Sequence, residues 1–387
     1  MKSAPHAQRH DPAAKRITVP AGLAQPARSR REVCLLPGPV ALSAAVRAAL
    51  QIPPLYHRAE EFVTLFEDVR ARLGTLVGGR DVALFLGSGT LANEVVAATL
   101  AVAPGPGRGL ILSNGEFGSR LFAQAVRFGL TPRVLTWPWG SPWNLDELAR
   151  ALDKEPAGSW VWGVHHESST GVLNDLAALV EIARLRGVRV CADFVSSLGA
   201  VPVDLSHVYL ASGTSGKALG SVAGVAMVFA DRHKLGPLDP ARVPSYLDLP
   251  ETLSSVGPRF TFPSGPLCGL AAALNGYSPE RAAGRYADYF EVGEYIRRQL
   301  RSVGLSPLAR ECDAGPTICT FAPWAGWTSE AFVEDCRRQG FLIGGASSYL
   351  AERRLVQIAN MGAITRSDCA PLFEHLSTAR SSLRCQP

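Results

Sequence analysis

The residue best suited to covalent chemistry is Lys217, within Ser212-Gly213-Thr214-Ser215-Gly216-Lys217-Ala218-Leu219-Gly220-Ser221-Val222-Ala223-Gly224. The apolar runs 207–211 and 225–230 on either side predict buried strands. Burial disfavours an ammonium ion and lowers its pKa, which prepares a lysine to attack a carbonyl carbon as a free amine and form a Schiff base. The ordinary alternative is a lysine reaching out of a Gly-rich turn to water. Only five of the 39 basic residues are lysines (Lys2, Lys15, Lys154, Lys217 and Lys234). A lysine enclosed by small residues therefore stands out in a chain that otherwise uses arginine.

Two further groups have types and positions that suit a charged ring and an anion. Asp193 closes the apolar run Val190-Cys191-Ala192, where a carboxylate is costly unless paired, and a protonated ring nitrogen would pair it. Gly87-Ser88-Gly89-Thr90 joins an apolar run, 81–86, to a helical stretch, 91–103. Backbone N–H groups and hydroxyls converge on an anion in such a turn, and a phosphate fits there. A plain strand-to-helix turn with a Ser or Thr cap is the alternative, and the loop is not a Walker motif. Leu35-Leu36-Pro37-Gly38-Pro39-Val40 reads as an extended entry that either faces a ligand or simply turns, before a helix capped by Ser43.

The elements that must carry these groups alternate. After an amphipathic helix with apolar positions 62, 63, 65, 66, 69, 73 and 76 and the strand at 81–86, strands are expected at 109–112, 133–136, 160–164 and 188–192. Helices are expected at 119–128, 146–152 and 175–186 between them. Repeated β-α units with buried strands imply an α/β fold with a mainly parallel sheet sandwiched by helices. Ligands of such sheets sit at the carboxyl ends of the strands. Asn114-Gly115-Glu116-Phe117-Gly118, His165-His166-Glu167-Ser168-Ser169-Thr170-Gly171 and Asp193 all follow strands at that edge. Residues 235–270, rich in Pro, Ser and Gly, read as a linker crossing the surface or an interface. Beyond them, helical segments at 267–276, 280–303 and 328–339 mix with short strands near 317–321, 341–344 and 355–359, a small C-terminal α+β domain. The expected division is an N-terminal extension (1–31), a large cofactor-binding domain (32–265) and a small domain (266–387).

The formal charge of +5 is unevenly placed. Residues 1–31 carry seven basic side chains against Asp11 alone, and the rest of the chain is left at −1. A nucleic-acid-binding domain carries its positive excess on the folded surface, so no nucleic-acid partner is expected. The extension reads as disordered, with an organelle transit peptide as the alternative. No apolar run is long enough to span a membrane. Eight cysteines are scattered without C-x-x-C spacing or clustered histidines, so the expectation is buried thiols of a cytoplasmic protein and no metal site.

Taken in order, L-P-G-P-V, Y-H-R-A-E-E-F, G-S-G-T-L-A-N-E, N-G-E-F-G-S-R, H-E-S-S-T-G-V-L-N, A-D-F-V-S-S-L-G and S-G-x-x-G-K resemble the class V aminotransferases. These are fold-type I pyridoxal 5'-phosphate enzymes, and the likeness runs from about Leu35 to Ile364. The nearest look is to the branch with the alanine–glyoxylate and 2-aminoethylphosphonate–pyruvate enzymes. The resemblance implies that Lys217 forms the Schiff base and then shuttles a proton, and that Asp193 keeps the pyridine nitrogen protonated. It implies that Ser88, Gly89 and Thr90 cup the phosphate, Phe117 stacks on the ring and Val195 supports its other face. Ser168 is implied near the phenolic oxygen and Thr261 at the phosphate of a partner subunit, hence a homodimer. Gly38 and residue 357 are implied on the substrate side, where a small amine or amino acid binds.

At residue 357 the chain departs from the family, which places an arginine there to clamp the substrate α-carboxylate. Leu355-Val356-Gln357-Ile358-Ala359-Asn360-Met361-Gly362 has glutamine instead. A neutral amide lacks the charged fork that suits a carboxylate. Either Arg353, Arg354, Arg259 or Arg58 substitutes, or the substrate lacks a free α-carboxylate. A second departure is Gly216, where alanine–glyoxylate enzymes have glutamine. The expected activity is amino transfer to a 2-oxo acid or aldehyde; a lyase, decarboxylase or carbon–carbon bond-forming enzyme on the same scaffold is the alternative. A cysteine desulfurase is disfavoured, because glycine rather than histidine precedes Lys217.

Overall fold

The computed structural model describes residues 32–103, 108–239 and 241–384, with backbone alone for 382–384. The expected N-terminal extension, 1–31, lies outside the described residues. In chain order the strands are β1 (Val33–Leu35), β2 (Asp81–Gly87), β3 (Gly109–Ser113), β4 (Arg133–Thr136), β5 (Trp160–Val164), β6 (His166–Glu167), β7 (Val172–Leu173), β8 (Arg189–Asp193), β9 (Leu210–Thr214), β10 (Gly224–Ala230), β11 (Ile318–Phe321), β12 (Phe341–Ile343) and β13 (Val356–Ala359). The helices are α1 (Ala44–Ala49), α2 (Glu60–Leu76), α3 (Gly89–Val102), α4 (Glu116–Arg127), α5 (Leu145–Leu152), α6 (Leu176–Arg184), α7 (Leu249–Ser254), α8 (Ser264–Leu274), α9 (Ala282–Ser302), α10 (Ser329–Arg338), α11 (Ser348–Glu352) and α12 (Arg366–Arg384).

Seven strands form the central sheet in the order β2-β10-β9-β8-β5-β3-β4. The pairs β9–β8, β8–β5, β5–β3 and β3–β4 are parallel, and β10 runs antiparallel to both its neighbours. The strands read as continuous apolar runs because both faces are buried. Leu110, Leu112, Val161, Val190 and Ala192 point into one core, whereas Ile111, Trp160, Trp162 and Cys191 point into the other. Side-chain caps set the helix starts: Asn144 accepts from Glu147 N–H and Asp175 from Ala178 N–H, each stabilising its helix by about 1 kcal/mol.

Three expectations need correction. The strand expected at 207–211 runs Leu210–Thr214, because Ser212, Gly213 and Thr214 pair with Val228, Met227 and Ala226 of β10. The lysine loop therefore starts at Ser215. The stretch expected as a linker contains α7, started by Asp248 and carrying buried Leu249 and Leu253. The sequence reading did not anticipate α12; Pro371 interrupts its donor pattern, but Cys369, Leu372, Phe373 and Leu376 form one buried face.

Past the seam expected at 265, Leu267, Leu270, Leu274 and Tyr277 still pack into the core beneath the central sheet. The C-terminal lobe has its own core, formed by α9, α10, α12, β11, β12 and β13. Val33–Leu35, expected in the large domain, pairs in parallel with Phe341–Ile343 of that lobe.

Candidate active site

Parallel strands bring their carboxyl ends to one edge, and that topology gathers residues distant in sequence. Asp193 ends β8, and its register partners are Val164 at the end of β5 and Ser212 in β9. Lys217 lies three residues beyond the end of β9. The turn after β2 opens α3 at Gly89, and the turn after β3 opens α4 at Glu116.

The lysine loop is pinned along its length. Ser215 Oγ donates to Val222 O (2.6 Å), Val225 N–H donates to Ser215 Oγ (3.2 Å), and Gly220 N–H donates to Lys217 O (2.9 Å). The hydroxyls of Tyr277 and Tyr289 both donate to Ala218 O, at 2.8 and 2.6 Å. Gly216 backs onto Ala223, whose Cα would lie 2.7 Å from a Cβ at that position. A side chain at that position would have to displace the Ala223 backbone. Lys217 is half-buried and makes no ion pair or hydrogen bond within the described residues. Desolvation pushes its pKa down to about 8, against the opposing pull of the Asp193 charge. A Cβ on Gly38 would stand 3.4 Å from Lys217 Nζ, so the entry loop abuts the amine.

Asp193 is buried, and burial raises its pKa. Asn93 Nδ2 donates to its Oδ2 (2.8 Å) and Val195 N–H to its Oδ1 (2.8 Å), which counter that rise. No cationic side chain forms an ion pair with it among the described residues. At the end of β2, Ser88 and Thr90 are exposed, Gly89 is buried, and neither hydroxyl takes a hydrogen bond within the described residues. A Cβ at Gly89 would come within 2.5 Å of Val195 Cγ2, so turn and valine are in direct contact.

Phe117 lies in the first turn of α4 beneath Arg120, whose Cζ is 4.9 Å from the ring centre. Glu167 accepts from Phe117 N–H (3.4 Å), Gly118 N–H (3.0 Å) and the Ser169 hydroxyl (2.5 Å), tying this helix start to the segment that carries Ser168. The adjacent imidazoles are buried and neutral. Burial pushes His165 down to about 3 and His166 to about 4. Thr261 is exposed in the loop before α8, and no hydrogen bond links it to Lys217, Asp193 or the Ser88–Thr90 turn among the described residues.

Gln357 is 1% exposed. Its Nε2 donates to Ser168 O (2.6 Å) and Thr320 Oγ1 (2.9 Å), with Ser169 O at 3.3 Å. Of the four arginines considered as substitutes, Arg58 donates to Pro258 O and Arg259 O, and Arg259 to Ser245 O. Arg354 is exposed with φ 52°. Arg353 stacks 3.9 Å over Trp139, which meets Tyr349, which in turn meets Phe117. It is the one of the four joined to the cluster by ring contacts. Sequence reasoning gave no role to Asn93, Ser212 or Tyr349. For Asn93 the signal was present, a polar residue inside the apolar helix L-A-N-E-V-V-A-A.

The family model for aminotransferase class-V matches residues 46–247. A 2-aminoethylphosphonate–pyruvate transaminase of Pseudomonas putida is 30% identical over 329 residues, 81% of this chain and 88% of that protein. One from Burkholderia ambifaria is 30% identical over 365 residues, 91% of this chain and 96% of that protein. Among solved structures, an alanine–glyoxylate aminotransferase from Nostoc sp. superposes with a TM-score of 0.81 at 27% identity, over 92% of this chain and 96% of its own.

Proposed function

The chain belongs to the aminotransferase class-V family of pyridoxal-phosphate-dependent transferases, and on that premise we propose that Lys217 serves amino transfer between an amino donor and a 2-oxo acid or aldehyde. We further propose that the donor brings no free α-carboxylate to residue 357. When bound, pyridoxal phosphate supplies an aldehyde that captures amines and a protonated pyridine ring that accepts electrons from the substrate carbon.

The residues present fit that cofactor. A buried carboxylate without a cationic partner, an unpartnered amine and a glycine turn with two uncommitted hydroxyls lie at one sheet edge. In this reading Ser88, Gly89 and Thr90 hold the phosphate with the first N–H groups of α3. Phe117 and Val195 enclose the ring, Asp193 retains the proton of its nitrogen, and Ser168 offers a hydroxyl to its phenolic oxygen. Lys217, lowered to about 8, is available as the free amine near neutral pH and then holds and returns the proton at the substrate carbon. Gly38 keeps the backbone close to that amine.

The observation that carries the substrate reading is the commitment of the Gln357 amide to Ser168 and Thr320. A buried amide already donating to the protein offers no fork to a carboxylate. The test presents the purified enzyme with α-amino acids, aminophosphonates and simple amines, and follows conversion of the bound cofactor to its amine form. Donors without an α-carboxylate should react fastest, and Gln357→Arg should shift preference toward alanine. If alanine already reacts fastest and Arg353→Ala abolishes that reaction, the carboxylate is read by Arg353 and the substrate reading fails.

The same reading places the site at a homodimer interface in the cytoplasm. Val256 and Phe260 are 82% and 40% exposed beside Thr261, an apolar edge suited to a second subunit. The seven cysteines among the described residues are all unpaired, and none of the described helices is long and apolar enough to cross a membrane. Sedimentation velocity tests the dimer: a monomer at micromolar concentration would remove the role assigned to Thr261. The division into a cofactor-binding body and a C-terminal lobe is part of this proposal, with the seam after Tyr277.

A further inference from the structure

Behind Asp193 stands a short line of hydrogen bonds that the assignments above leave without a role. Ser212 Oγ donates to Asn93 Oδ1 (2.6 Å), and Asn93 Nδ2 donates to Asp193 Oδ2 (2.8 Å). Ser212 is fully buried, and Asn93 is 7% exposed. Around Asn93 the helix is apolar, with Ala92, Val95, Val96 and Ala97 all in the core. Asparagine is a poor helix former, and burying its amide without partners is costly. Its two bonds explain how it is accommodated.

We propose that Ser212 and Asn93 are positioning residues that keep Asp193 ionised and fix the carboxylate edge it turns toward the pyridine nitrogen of the cofactor. The inference rests on the reading of Asp193 given above. An ionised carboxylate only accepts, so the amide must turn its N–H to Asp193, leaving Oδ1 to receive the proton of Ser212. With Asp193 protonated, its carbonyl oxygen would still accept from Asn93, but an uncharged acceptor gains less from these N–H donors. Two N–H donors on the carboxylate therefore favour the charged form of Asp193 over the neutral one. A charged Asp193 leaves the proton on the ring nitrogen.

Val195 N–H holds the other oxygen, so each oxygen has its own donor and the carboxylate cannot rotate without breaking one of them. Register pairing of Ser212 with Asp193 places the anchor of the line on the neighbouring strand, and β9 packs beneath α3, which supplies Asn93. The device is built from rigid elements rather than from loops.

The test compares affinities of the apo-protein for pyridoxal phosphate and for its 1-deaza analogue, in which a C–H replaces the ring nitrogen. The wild-type chain should prefer the natural cofactor. Asn93→Leu, close in shape and apolar, should cut that preference about tenfold, the effect of one hydrogen bond to a charged group. Ser212→Ala should cut it by a smaller factor. In both variants the nitrogen resonance of ring-labelled cofactor should move toward unprotonated pyridine. Equal weakening of both ligands, or an unchanged preference and resonance, would mean that the pair only packs, and would overturn the proposal. Ser212→Ala carries the test alone if Asn93→Leu does not fold. A borohydride-fixed adduct at Lys217 in the wild-type chain checks the underlying reading separately.

Discussion

Gln357 Nε2 lies 2.6 Å from the carbonyl oxygen of Ser168 and so binds β13 of the C-terminal lobe to the segment that follows β5. Residues 189 positions apart are joined by one amide group. Gln357→Leu, similar in size, would remove the donor from Ser168 O and leave a buried carbonyl unsatisfied. We expect a loss of about 1–3 kcal/mol in folding stability, measured by urea unfolding. A neutral result would mean that the interaction contributes little to joining lobe and body.

The amine of Lys217 should titrate well below an ordinary lysine. Its charged form is disfavoured by desolvation, so the reactive free base accumulates as pH rises through about 8. Acylation of the apo-protein, followed by mass spectrometry of the peptide containing Lys217, should show a rate that climbs with pH and levels off above that midpoint. Asp193→Asn removes the charge that opposes the shift and should move the midpoint lower still. A midpoint near 10.5 in the wild-type chain would contradict the buried-amine reading.

Acid should weaken the fold through the buried imidazoles. His165, pushed down to about 3 by burial, binds no proton in the folded state at pH 5, whereas the unfolded chain does. The unfolded state therefore takes up more protons between pH 6.5 and 3, and stability falls as pH falls through that window. Between pH 7 and 5 the loss is about 2 kcal/mol for this residue. His165→Asn should make the melting temperature less sensitive to that pH change. An unaltered slope would show that His165 is not the group responsible.

Contact between the Ser88–Thr90 turn and Val195 predicts a coupled pair. Gly89→Ala forces a methyl group against Val195 Cγ2, at 2.5 Å before any relaxation. Overpacking of this kind costs about 1–3 kcal/mol, and it should also displace the turn and weaken cofactor binding. Adding Val195→Ala opens the space and should recover most of the stability, giving a clear coupling energy in a double-mutant cycle. Additive losses would place the turn and the valine out of contact.

Much of the architecture is legible in local pattern. The strands Arg133–Thr136 and Trp160–Val164 coincide with the expected ranges, since β5 is buried on both faces and reads as a run of large apolar residues. The helix boundaries differ by a few residues where caps such as Asn144 and Asp175 decide the start. Strand β9 was shifted because Ser212, Gly213 and Thr214 have the composition of a loop. Only pairing with β10 makes them a strand. Helix α12 was missed because a proline and many polar residues mask its buried face.

The order of residue types along the chain was enough to establish an α/β protein with one unusual lysine, an aspartate ending a buried strand and a glycine turn before a helix. Such features are local, and each follows from burial, charge or backbone freedom within a few residues. Folding alone decided what those groups touch. Asn93 reaches Asp193 across 100 residues and Ser212 across 119, and Gln357 reaches Ser168 outside its own lobe. Hydrogen bonds and close packing act over about 3–4 Å of space, so distance along the chain carries no record of them.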